Sequence, residues 1–137
     1  MTDIDRAGRS ALHYAACDGD IEAVRRLLRE GTEVNLSDKQ GWTPLHFAAQ
    51  ARSAEITKTL LESGADPNRQ DAYGNSPLSQ AVFDSRGDGA VIKLLREAGG
   101  DPLLRNNFGV SPASLARTIA NYNVAQFFVD VAEEAGG

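Results

Sequence analysis

Two histidines, His13 and His46, one cysteine, Cys17, and the serines Ser10, Ser76 and Ser111 are the side chains here from which a catalytic site could be assembled. Nucleophilic catalysis needs a hydroxyl or thiol held beside an oriented base. The spacing gives these residues other work. His13 and His46 lie 33 residues apart, each at the end of a related four-residue text, Ser10-Ala-Leu-His13 and Thr43-Pro-Leu-His46. Ser76 and Ser111 open the corresponding texts further on, where a helix cap belongs. A single cysteine excludes an internal disulfide and a cysteine metal cluster. No nucleophile elbow, phosphate loop or metal-ligand spacing occurs, so neither an enzyme nor a bound cofactor or metal is expected.

What positions these residues is a repeat. Gly8, Gly41, Gly74 and Gly109 are spaced by 33, 33 and 35 residues, and Leu12, Leu45, Leu78 and Ala113 follow each at a fixed distance. Asp5, Asp38, Asp71 and Asn106 precede the glycines by three. An Asx residue followed by Gly suits a tight turn, because the Asx side chain bonds nearby backbone and Gly reaches positive φ. Thr43, Ser76 and Ser111 then predict helix N-caps, with Pro44, Pro77 and Pro112 at the first helical position. Leu45, Ala48 and Ala49 mark the apolar side of a short helix, and its small alanines allow close packing. Ile56, Leu60 and Leu61 mark a second helix that stops at Gly64, and Val24, Leu27, Leu28 and Gly31 repeat this in the first unit.

Asp-x-x-Gly-x-Thr-Pro-Leu-His, then Ala-Ala, Leu-Leu and Gly-Ala-Asp-x-Asn at 33-residue spacing, resembles the ankyrin repeat, and the match runs from residue 5 to about 135. Residues 38–70 come closest to the family pattern. The resemblance implies an all-α solenoid of helix-turn-helix pairs with projecting β-turn fingers. One domain is expected over 1–137, with repeats at about 5–37, 38–70, 71–105 and 106–137. No repeat buries its apolar face alone, so the four are expected to be stable only as a stack. The resemblance also implies that His13 and His46 hydrogen-bond between successive fingers, while Asn35 and Asn68 close the helix-to-finger turns.

The departures from the pattern are informative. The third unit has two extra residues, one within Asp84–Gly89 and one before Gly99. The Arg86-Gly87-Asp88 found there spells an adhesion tripeptide, but is read as part of a flexible edge loop. The fourth unit carries Arg117 where an alanine belongs and gives Tyr122, Phe127 and Phe128 to its last helices. Arg117 with the ending Glu133-Glu-Ala-Gly-Gly137 reads as a C-terminal cap, and Arg25, Arg26 and Arg29 as a polar N-terminal one, as a complete array requires.

In this family partners usually meet the finger tips and the inner face of the first helices. Carried over by position, the tips are Arg6, Ala7 and Arg9; Lys39, Gln40 and Trp42; Ala72, Tyr73 and Asn75; and Asn107, Phe108 and Val110. The inner face holds Cys17 and Asp18, Gln50 and Ala51, and Phe83 and Asp84. The expected binding set is Arg6, Arg9, Lys39, Gln40, Trp42, Tyr73, Asn75, Phe83, Asp84 and Phe108. Trp42, Tyr73, Phe83 and Phe108 form an aromatic track of the kind that supplies binding hot spots. Arg6, Arg9 and Lys39 form a basic entry suited to an acidic partner surface.

Composition narrows the partner. The net charge of −5 is spread thinly and no segment is strongly basic, which argues against nucleic acid. No apolar run approaches the ~20 residues that span a bilayer, and Met1–Asp5 has no signal-peptide character. A cytoplasmic monomer is expected. The implied function is a non-catalytic adaptor or inhibitor of one protein, with a bacterial immunity-type inhibitor of a cognate toxin and a regulatory subunit of an enzyme complex as alternatives.

Overall fold

In the computed structural model residues 4–131 are described, and among them there are seven α-helices, one 3-10 helix and no strand. The helices are α1 (Ala11–Asp18), α2 (Ile21–Arg29), α3 (Pro44–Gln50), α4 (Ala54–Glu62), α5 (Pro77–Asp84), α6 (Ala90–Glu97) and α7 (Pro112–Thr118). They pair as α1 with α2, α3 with α4, and α5 with α6, and α7 pairs with the 3-10 helix Val124–Phe128. α1, α3, α5 and α7 stack in one layer, and α2, α4 and α6 in a second. The result is an all-α solenoid.

The inner-layer helices start where the caps specify. The Thr43, Ser76 and Ser111 side chains accept from the backbone N–H three residues on, and each is followed by a proline, which needs no donor there. The buried faces come from one register of every unit: Leu12, Leu45, Leu78 and Ala113 are all at most 1% exposed. Burying a leucine completely stabilises by about 1.5–3 kcal/mol. Ala16, Ala48, Ala49, Ala81 and Ala116 are buried beside them, so consecutive helices approach closely along the layer. In the outer layer Val24, Ile56, Leu60, Ile92 and Leu95 are buried.

Asparagines tie each pair to the next. Asn35 Nδ2 donates to the Gly64 carbonyl (3.1 Å), and its Oδ1 accepts from Asp66 N–H (2.8 Å). Asn68 makes the same two bonds one repeat on, to Gly99 (3.0 Å) and Asp101 (2.7 Å). These side chains therefore bridge neighbouring repeats, and within their own turns it is Glu33 and Asp66 that accept, from the Asn35 and Asn68 backbone N–H (3.0 and 2.9 Å).

The irregular parts are also packed. Gly89, in the enlarged third-unit loop, lies so close to the last repeat that an added Cβ would run into the Phe127 ring. Gly87 abuts Tyr122 in the same way, at 3.1 Å. The loop bearing Arg86-Gly87-Asp88 thus rests on the fourth unit. There the last elements reduce to α7 and the five-residue 3-10 helix Val124–Phe128. Arg96 of α6 holds this end with a donor to the Phe127 carbonyl (2.9 Å) and a two-pronged contact to Asp130 (2.8 and 2.7 Å). The bond keeps the Asp130 carboxyl below its usual pKa of 3.8. Arg117 folds back onto the Val131 carbonyl (2.9 Å). At the other end Arg25 of α2 reaches Glu55 of α4 (2.9 Å), and so belongs to an inter-repeat contact. The proposed capping segment Glu133–Gly137 lies outside the described residues.

Candidate functional site

The fingers are four copies of one turn. In each, the Asx residue closes the loop through its own backbone and accepts two more N–H groups on its Oδ1. Asp38 Oδ1 accepts from Gln40 (2.9 Å) and Trp42 (2.8 Å), and Asp71 Oδ1 from Tyr73 and Asn75 (2.9 Å each). Asp5 and Asn106 do the same in the outer fingers. The finger glycines must be glycine: Gly41 has φ +82, and an added Cβ would lie 2.8 Å from Asp71 Cα. Backbone bonds run from each finger to the next, Lys39 N–H to Ala7 C=O, Ala72 to Gln40 and Asn107 to Tyr73, all at 2.9 Å.

A second ladder is made of side chains. Arg9 Nε–H donates to Asp38 Oδ2 (3.1 Å), Trp42 Nε1–H donates to Asp71 Oδ2 (3.0 Å), and Asn106 Nδ2 donates to Asn75 Oδ1 (2.9 Å). The residue four places after one finger's Asx thus bonds the Asx of the next finger. Three of the residues expected at the partner surface, Arg9, Trp42 and Asn75, are half-buried parts of this ladder. Trp42 also stacks on His46 (5.5 Å between ring centres) and meets Phe47 edge-on (4.8 Å). Arg9 lies over the Phe47 ring (5.1 Å).

The histidines complete the spine. Ser10 N–H donates to His13 Nδ1 (2.9 Å) and Thr43 N–H to His46 Nδ1 (3.1 Å). A nitrogen that accepts from a backbone N–H carries no proton, so the proton is on Nε2 in both rings. Nε2–H then donates to a carbonyl of the following finger, His13 to Trp42 and His46 to Asn75, each at 3.0 Å. Both rings are fully buried, and burial pushes both imidazoles below their ordinary pKa of 6.5. With both nitrogens engaged, neither ring is placed to act as a base. Cys17 is exposed on α1, and no cluster that could hold a metal ion occurs among the described residues. No described helix is long and apolar enough to cross a membrane.

What the spine does not use is left on the surface. Tyr73, Phe83 and Phe108 are 60%, 70% and 74% exposed. Phe83 and Phe108 face a concavity of about 450 Å³ bounded by the third and fourth fingers and by α5 and α7. Val110 and Leu115 add to its apolar lining, and Asn75, Ser79, Gln80 and Asn106 supply its polar lining. Gln80 hydrogen-bonds Asp84, which places Asp84 beside the concavity with a side-chain partner already. Of the expected set, the structure therefore brings Phe83, Phe108 and Asn75 into one hollow, with Asp84 adjoining it. Tyr73 stands on the third finger tip, and Arg6, Lys39 and Gln40 are exposed on the first two tips. Leu115, Gln80 and Ser79 were not among the expected residues, although the helical period places 80 and 83 on adjoining turns of α5.

Comparison with known proteins adds the following. Residues 1–71 match a family model described as ankyrin repeats (3 copies), and residues 51–96 match one described as ankyrin repeats (many copies). No curated protein matches the sequence.

Proposed function

We propose, from the premise that the chain belongs to the ankyrin repeat family, that it is a non-catalytic module binding one protein partner in the hollow between its third and fourth repeats. Ankyrin repeats are general protein-interaction modules, and a fold by itself does not fix a site. The observation that carries the location is the pair Phe83 and Phe108. Both are large, apolar and mostly solvent-exposed around one concavity whose lining is mostly apolar. Solvent-facing aromatics at a hollow are the usual anchors of binding energy.

The non-catalytic reading is supported by the use already made of the reactive side chains. Both histidines hold fingers together, and the finger hydroxyls cap helices.

The test is affinity capture from the native host with the full chain, run beside the Phe83→Ser/Phe108→Ser variant. Hydrogen exchange on the purified complex then maps the contact. A protein retained by the wild type, lost by the variant and protecting α5, α7 and the last two fingers supports the reading. Retention by both, with protection elsewhere, overturns it. Activity of the captured partner, with and without the chain, separates an inhibitor from an adaptor.

A further inference from the structure

The finger tips change character along the stack. The two residues after each Asx are Arg6 and Ala7, then Lys39 and Gln40, then Ala72 and Tyr73, then Asn107 and Phe108. The first two tips are therefore cationic, and the last two aromatic. Arg6 and Lys39 are exposed, and no ion pair joins either of them to a described residue. The finger carboxylates do not neutralise them. Asp38 and Asp71 are buried and turned inward to Arg9 and Trp42, while Asp5 accepts from Tyr14. The acidic inner-face residues stand apart: Asp18 ends α1, about 12 Å along the helix from its finger, and Asp84 holds Gln80. One line of tips thus carries two positive charges with no ion pair to a described residue at one end and an apolar hollow at the other.

We infer that the occupant is an extended protein segment with acidic residues at one end and a large apolar side chain at the other, the apolar group seated between Phe83 and Phe108 and the acids facing Lys39 and Arg6. The inference rests on the proposed groove and adds the chemistry of its partner. The repeat spacing sets a register. Packed helices, and so their fingers, lie about 9 Å apart. From the hollow to Lys39 is one and a half repeats, about 14 Å, and to Arg6 two and a half, about 23 Å. At about 3.4 Å per residue, an extended strand places its acids about four and about seven residues from the apolar anchor. The charges give register and approach more than strength, since exposed pairs contribute modestly.

The test is selection of a displayed library of random peptides about 14 residues long, enough to cover that span, on the full chain. The selected pool is then measured against Phe83→Ser/Phe108→Ser and Lys39→Glu, each first checked for wild-type helicity. Enriched peptides should carry Asp or Glu about four and seven residues from an aromatic or large aliphatic residue. They should lose binding to the double serine variant and bind Lys39→Glu about three- to tenfold more weakly. Their lysine-substituted versions should prefer Lys39→Glu. A pool lost on the serine variant but lacking the acidic pattern, or indifferent to Lys39→Glu, overturns this inference and leaves the groove. No enrichment, or a pool indifferent to the serine variant, overturns both.

Discussion

Trp42 and Asp71 are joined across two fingers by an indole N–H donor at 3.0 Å, so an aromatic at a binding-surface position is in fact a rung of the scaffold. The same tryptophan stacks on His46, whose ring reaches the finger that Asp71 closes. Three residues of two successive units thus share one small network.

Trp42→Phe should accordingly destabilise the fold by about 1–3 kcal/mol, since it keeps an aromatic ring but leaves a carboxylate oxygen without its donor. Urea unfolding followed by circular dichroism measures this. A change below ~0.5 kcal/mol would mean that water replaces the indole at no cost.

Phe83→Ser/Phe108→Ser should behave in the opposite way. Both rings are mostly exposed, so the stability change should stay within about 0.5 kcal/mol per site. Partner affinity should fall by more than ~2 kcal/mol, about thirtyfold. Calorimetric titration of wild type and variant with the captured partner supplies both comparisons.

The histidines predict a pH dependence. Their folded pKa values lie below the ordinary 6.5, with burial the main cause, so above pH 6.5 both states are neutral and the contribution is complete. As pH falls through 6.5 the unfolded chain takes up protons that the folded one refuses, and stability declines. With two such groups the slope has a limit of about 2.7 kcal/mol per pH unit. Asp5 and Asp130, whose pKa values are held below 3.8 by hydrogen bonds from Tyr14 and Arg96, act only at more acidic pH. Urea midpoints at pH 7.5 and 5.5 decide the matter. Equal midpoints would contradict the neutral, doubly engaged imidazoles.

Thr57 on α4 is fully buried, and its hydroxyl has no hydrogen-bond partner among the described residues. Thr57→Val removes an unsatisfied polar atom at nearly constant volume, so stability should stay the same or rise by up to about 1 kcal/mol. Thermal unfolding reads it, and a loss of stability would reveal a partner for the hydroxyl.

The repeat was legible because each of its signals is local. Asx with Gly, hydroxyl with Pro, and paired leucines each state a backbone requirement within a few residues, and the structure meets them at Asp38, Gly41, Thr43, Pro44, Leu60 and Gly64. The role of His13 and His46 followed from the resemblance to the ankyrin repeat, which implies an inter-finger bond at that place in the text. Arg9, Trp42 and Asn75 were harder. Spacing puts them at the finger, but whether a side chain faces outward depends on a partner about 30 residues away. Donor chemistry holds a partial clue, because Arg9 and Trp42 precede aspartates in the next finger while Asn75 precedes Asn106. Leu115 and Gln80 were missed because a hollow between two repeats is a property of their packing, which one repeat's pattern does not contain. The short 3-10 ending at Val124–Phe128 had no signal distinguishing it from a regular helix.

The histidine rungs stop halfway along the molecule, for serines occupy the corresponding places in α5 and α7, Ser79 and Ser114. In a linear array each unit is held only by its neighbours, so cooperativity is set link by link. The first three fingers are cross-linked by imidazoles, whereas the fourth is held by amides, Asn106 on Asn75, Asn107 on the Ala72 carbonyl and Gln70 on the Arg105 carbonyl, together with backbone. The link between the third and fourth fingers therefore differs in chemistry from the two before it. The link without an imidazole adjoins the hollow, so a ligand gripping both Phe83 and Phe108 would act as a latch across it.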